Sequence, residues 1–175
     1  MTTTAFQPAK AKLKLGSVDD KSITVEAQYN PKELQVEQGV PWQKPGAATQ
    51  AGTQPASGGD DDPLALEFTG VQARTMTIEM LFDGVEESGR SVNVKEQVAI
   101  LEQLARVQDP KSTDDKKRRP HFCIVTWGDR GLPSFRCVIE NLTTKYSMFS
   151  SDGLPLRATC TVKLKEASRV DKEKK

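Results

Sequence analysis

The chain has 175 residues, with 25 basic and 24 acidic side chains and a formal net charge of +1. That length suits one domain with a core of its own. The near-neutral balance excludes a global field that would draw the protein onto nucleic acid or an anionic membrane. No stretch approaches the roughly 20 apolar residues of a spanning helix, and Met1 to Gln7 lacks a charged then apolar leader, so a soluble protein made in the cytoplasm is expected.

From the N-terminus, Lys12-Leu13-Lys14-Leu15 and then Ile23, Val25, Ala27 and Tyr29 alternate with polar neighbours, which predicts a β-hairpin turning near Gly16 to Lys21. Asn30-Pro31 breaks the pattern into a corner, because proline cannot donate to a ladder, and a short piece from Glu33 to Glu37 follows. Between Gly39 and Pro63 the composition shifts to Gly, Pro, Ala, Gln and Thr, which predicts a long mobile loop. Trp42 within it reads as a contact anchor, since a large aromatic on an exposed loop has little else to do.

Leu64 to Phe68 resumes as a strand, and Met76, Ile78, Met80 and Phe82 alternate with Thr75, Thr77, Glu79 and Leu81 in the strongest strand of this half. Asn93 with Glu96 has capping-box spacing, and Val94, Val98, Leu101 and Leu104 or Ala105 share a helical face, so a helix is expected from there to Asp109-Pro110. Lys116 to Arg119 reads as a solvated basic loop. His121 to Trp127 and Ser134 to Tyr146 predict a second hairpin around Gly128 to Gly131. After the Asp152-Gly153 turn, Leu156, Ala158, Cys160, Val162 and Leu164 point one way and Arg157, Thr159, Thr161, Lys163 and Lys165 the other. Residues 168–175 form a charged tail. Several strands and one helix predict a mainly β fold, an antiparallel barrel or sandwich in a domain spanning 1–167.

Candidate chemistry is sparse. Cys123, Cys137 and Cys160 have no metal-ligand spacing and read as reduced core residues. One histidine, His121, excludes a multi-histidine metal site and reads as a hydrogen-bonded residue rather than a catalytic partner of a thiol. Neither phosphate-binding glycine motif occurs. Asp60-Asp61-Asp62 lacks the alternating ligands of a calcium loop, and Asn141-Leu142-Thr143 lies mid-strand. No enzyme, cofactor or metal site is expected.

A set of short motifs, Tyr29-Asn30-Pro31, Leu81-Phe82-Asp83, Val125-Thr126-Trp127-Gly128, Tyr146-Ser147-Met148-Phe149 and Gly153-Leu154-Pro155-Leu156-Arg157-Ala158, runs in this order along the chain. Together they resemble the tube-protein-like N-terminal domain of the baseplate adaptors of contractile injection systems. The resemblance implies a phage tail-tube type of β domain with one helix and a structural role. The adaptor assembles as a six-fold ring between the spike or hub complex and the inner-tube protein, beside other baseplate proteins. Family members often carry a LysM module after this domain, to which the tail would be the linker. Independently of the resemblance, the residues themselves offer Trp42, Gln43, Arg157 and Lys163 as candidate assembly contacts, with the polar face of the last strand lining a lumen or meeting solvent. Trp127, Tyr146 and Phe149 are expected to pack rather than make contacts. An inner-tube subunit and a monomeric ligand-binding β-barrel are the alternatives.

Overall fold

The computed structural model describes residues 11–44, 64–85, 92–114, 117–128 and 134–168. In chain order they form β1 (Leu13–Ser17), β2 (Thr24–Glu26), β3 (Gln35–Glu37), β4 (Trp42–Gln43), β5 (Glu67–Phe68), β6 (Thr75–Asp83), α1 (Val94–Ala105), β7 (Cys123–Trp127), β8 (Phe135–Phe149) and β9 (Pro155–Glu166). Seven strands make one antiparallel sheet in the order β2-β1-β7-β8-β9-β6-β3, and β4 and β5 pair separately.

The period-2 pattern explains the central strands. Along β6, Met76, Ile78, Met80 and Phe82 are buried, and along β9, Ala158, Cys160, Val162 and Leu164 are buried, while the residues between them face outward. The two strands pair over their whole shared length, from Thr75 opposite Lys165 to Asp83 opposite Arg157. Both hairpins expected from the sequence, β1 with β2 and β7 with β8, are present.

Helix α1 covers the buried face of the sheet. Its Val94, Val98, Leu101 and Leu104 join the core beside Leu13, Leu15, Val25, Ile78 and Val162. Asn93 caps it by accepting from the Glu96 N–H through Oδ1 at 3.3 Å. The helix stops at Ala105, short of the expected Asp109-Pro110. Arg106 turns extended, and Gln108 and Asp109 donate to Arg119 and Lys117 instead of extending the helix. Long-range partners for these amides outbid the next helical turn.

The sheet curls without closing into a barrel, so the barrel alternative is corrected. Its edges in the described residues are β2 and β3. The curl nevertheless brings the chain just after β2 onto the far end of β6. Gln28 Nε2 donates to the Asp83 carbonyl at 3.0 Å, and the Asp83 N–H donates to Gln28 Oε1 at 2.7 Å. A buried side-chain amide thus does what a ladder would do in a closed barrel, satisfying main-chain groups that would otherwise be costly to bury.

The first residues of the expected loop are hydrogen-bonded to a later segment. Past β3 the chain does not become irregular at Gly39 but runs on as a paired arm. Gln72 N donates to Gly39 O and Thr69 N to Pro41 O, and just beyond them lies the β4–β5 ribbon, Trp42 opposite Phe68 and Gln43 opposite Glu67. The strand expected over Leu64–Phe68 is reduced to its last two residues. The rest of that loop with Asp60–Asp62, the start of the chain, Lys116, the 129–131 turn and the tail beyond 168 lie outside the described residues.

Candidate assembly surfaces

The motif residues gather at two joints of the sheet. At the first, Asn30 Nδ2 donates to the Ala11 carbonyl at 2.8 Å and Asn30 Oδ1 accepts from the Leu13 N–H at 3.0 Å, so its amide extends the β1 pairing past the end of β2. Trp127 Nε1 reaches the same Ala11 carbonyl at 3.2 Å. Gly128 takes a φ of +64°, and a Cβ there would stand 2.9 Å from Ala11 Cβ, which is why glycine follows the tryptophan. Pro31 then turns the chain away from the sheet.

At the second joint Phe82 pairs with Ala158 and Asp83 with Arg157. Asp83 Oδ1 accepts from the Val85 N–H at 2.9 Å, and Arg157 Nε donates to Oδ2 at 3.1 Å. The Val85 bond and the Arg157 guanidinium together hold the Asp83 carboxyl below its ordinary value of 3.8. Arg157, expected as an assembly contact, is therefore engaged within its own chain. Lys163 is half exposed and pairs with Glu140 at 3.2 Å. Gly153, with φ +77°, closes the β8–β9 turn by donating to Ser150 O, and Phe149 pairs opposite Pro155.

The groups with catalytic chemistry are occupied structurally. His121 is buried, with Nδ1 2.9 Å from Ser17 Oγ, and that oxygen also accepts from the Asp19 and Asp20 N–H groups. Asp19 in turn receives both terminal nitrogens of Arg119, Gln108 Nε2 and the Phe122 N–H. The cluster fastens the β1–β2 turn to the entry of β7. Cys123 donates to the His121 carbonyl rather than meeting its ring. Burial and the nearby Asp19 charge push the Cys123 thiol up to about 12, and burial also raises Cys137 and Cys160, so these thiols stay protonated and poorly nucleophilic. Among the described residues no group of His, Cys, Asp and Glu could hold a metal ion.

The described surface is uneven in its apolar exposure. The arm exposes Val40, Trp42, Leu64, Leu66, Phe68 and Val71, with the Trp42 and Phe68 rings 5.5 Å apart and Trp42 56% exposed. The tip of the β8–β9 hairpin exposes Tyr146, Met148, Phe149 and Leu154. Phe149 is 60% exposed, so the expectation that Tyr146 and Phe149 pack is corrected, while Trp127 does pack against the core. Met148 adds a φ of +53° at the tip, a conformation uncommon for a side chain of its size. The arm continues past the Thr75–Lys165 end of the sheet and the tip lies past the Asp83–Arg157 end. The two patches are thus separated by the length of β9, roughly 40 Å for its twelve residues. Contiguous apolar surface of this kind marks protein contacts.

A rigid curled sheet with apolar patches at both ends defines an assembly subunit. The sequence matches the family model described as contractile injection system tube protein over residues 2–175, and the chain belongs to that family. Among curated proteins no sequence matches it. The protein is accordingly a structural component of a contractile injection particle. No described helix is long and apolar enough to cross a membrane.

Proposed function

We propose that this chain is a non-enzymatic baseplate adaptor, a ring of copies joining the spike or hub complex to the inner tube inside the producing bacterium. The observation that carries the reading is the difference between the two ends of the sheet. One end offers an aromatic arm, the other a tip built from Tyr146, Met148, Phe149 and Leu154. A ring subunit set between other components needs unlike contact surfaces, one for the neighbouring copy and another for the components that the ring joins. The motif order from Tyr29-Asn30-Pro31 to Arg157-Ala158 supports the same role, as does the engagement of every cysteine and the histidine in packing or hydrogen bonds.

The second reading is an inner-tube subunit, favoured by the family description itself. A contact between unlike surfaces generates a ring when the rotation closes and a filament when it does not. Light scattering after size exclusion, with negative-stain imaging, is expected to show length-limited rings, alone or on adding the tube protein. Open-ended tubes of the chain alone would assign it to the tube, and a monomer that ignores tube and spike proteins would remove both readings.

A further inference from the structure

The curled sheet has a seam, and along the seam lies a place that no strand among the described residues fills. Along β6 the main-chain groups of even-numbered residues face β9, since the Arg74 carbonyl accepts from Glu166 N and Gly84 donates to Leu156 O. Those of odd-numbered residues face the other way, as the two bonds between Asp83 and Gln28 show. On that outward edge β3 covers Thr75 and Thr77, and Gln28 covers Asp83. Between them, no hydrogen bond among the described residues reaches the outward N–H and C=O of Glu79 and Leu81. The chain leaves this edge because Asn30 is tied to β1 and Pro31 cannot donate. The result is a groove of about 440 Å³ between Tyr29–Glu33 on one wall and Glu79 and Leu81 on the other.

The arm has the complementary edge. Pro41 O accepts from Thr69 N on the β5 side, so the main-chain groups of Trp42, one residue on, face away from β5. The repeat of two residues between Val40, Trp42 and Lys44 matches that between Glu79 and Leu81. The side chains agree. Leu81 and Tyr29 offer apolar surface to Trp42, and the carboxylates of Glu33 and Glu79, which outnumber the one groove cation Lys32, face Lys44, with neither carboxylate nor Lys44 ion-paired among the described residues. The arm cannot reach the groove of its own chain, because β3 runs antiparallel to β6 and delivers the arm beyond Thr75, away from Leu81.

We infer that the β4 edge of one copy inserts beside β6 of the next, pairing with Glu79 and Leu81 and completing the seam of the neighbouring sheet. This rests on the reading of the chain as a self-assembling subunit and names the acceptor for its arm. The mode is strand addition, in which main-chain bonds supply affinity and the flanking side chains supply register.

Two changes test it in the full chain. Single variants Lys44→Cys and Glu79→Cys, mixed and oxidised, are expected to give a mixed disulfide dimer, about tenfold over either like-with-like dimer, since both thiols must lie within bonding reach. The three native cysteines are buried and should stay silent. Glu79→Pro removes one outward N–H while leaving the β6–β9 ladder intact, and should reduce assembled copies about tenfold at a fixed concentration by light scattering. Assembly of the native chain with no excess of the mixed dimer and normal assembly of Glu79→Pro would overturn the inference and leave the assembly reading standing. If native copies never associate, alone or with tube and spike proteins, both fall together.

Discussion

The β6–β9–β8 sheet and the arm that leaves it are made of similar strands but do opposite work with their apolar residues. In β6 and β9 the residues from Met76 to Phe82 and from Ala158 to Leu164 alternate, every second one buried in the core that α1 shares. In the arm, Val40, Trp42, Leu66 and Phe68 are exposed, and among the described residues the ring partner of Trp42 is Phe68. Hydrophobic burial is the main favourable contribution to folding, so the sheet holds the fold and the arm contributes little to it. Its apolar surface gains free energy only when another molecule covers it. The lesson is that stability and assembly are separable in this chain, and substitutions should separate them.

The largest effect is expected in the sheet's cover. Leu101 is fully buried on α1, and Leu101→Ala should cost about 2–5 kcal/mol, read as a lowered denaturation midpoint with an unchanged slope. A loss below 1 kcal/mol would mean that α1 is not an integral part of the core. Next comes the seam. Gln28→Ala leaves the buried Asp83 N–H without its partner, and leaves the Asp83 carbonyl with only the longer bond from Val92 at 3.4 Å, so about 1–3 kcal/mol should be lost. Gln28→Glu can replace both bonds only as the protonated acid, so it should recover part of that loss at low pH and not at neutral pH, where a carboxylate would face the Asp83 carbonyl. Equal damage from both at low pH would assign the effect to packing rather than to the amide.

A smaller, pH-dependent effect belongs to Asp83. Its carboxyl lies below the ordinary 3.8 in the folded chain, through the Val85 N–H and Arg157. A depressed carboxylate stabilises the fold fully above its unfolded value, and that contribution is lost as pH falls below 3.8 through the folded value. Thermal midpoints of the native chain and Asp83→Asn should therefore converge as pH is lowered from 7 into this range. Parallel curves down to pH 2 would deny Asp83 its part.

The sheet was legible in the sequence because its signal is local. Alternation in Met76–Phe82 and Ala158–Leu164 is a direct print of one buried face, and Asn93 with Glu96 marks a helix start within four residues. The arm was not legible. Gly39, Pro41 and the short Trp42-Gln43 pair carry no alternation, and their partners at Glu67–Gln72 lie more than twenty positions away. The seam was hidden for the same reason, since nothing near Gln28 announces a bond to Asp83, 55 positions on. Of the motif residues, Asn30, Trp127 and Gly128 meet around Ala11, and Phe82, Asp83, Arg157 and Ala158 meet across two strands. Their order in the sequence contained that much of the architecture without revealing the geometry. Trp42 is legible as a large aromatic in a polar stretch, and it is exposed.

Trp42→Ala sharpens the comparison because its expected effect on folding is the smallest. The side chain is more than half exposed and sits on a two-stranded ribbon apart from the core, so unfolding free energy should move by no more than about 0.5 kcal/mol. Association should respond far more, since a central aromatic anchor at an interface typically contributes about 2 kcal/mol or more. The same purified sample answers both questions, by chemical denaturation and by light scattering with and without the tube and spike proteins. A variant that folds normally but no longer assembles would show that the arm's exposed surface is kept for a neighbour. If it unfolds easily, the ribbon belongs to the folding core after all; if it assembles normally, the contact lies at the hairpin tip, where Phe149→Ala should then produce the loss.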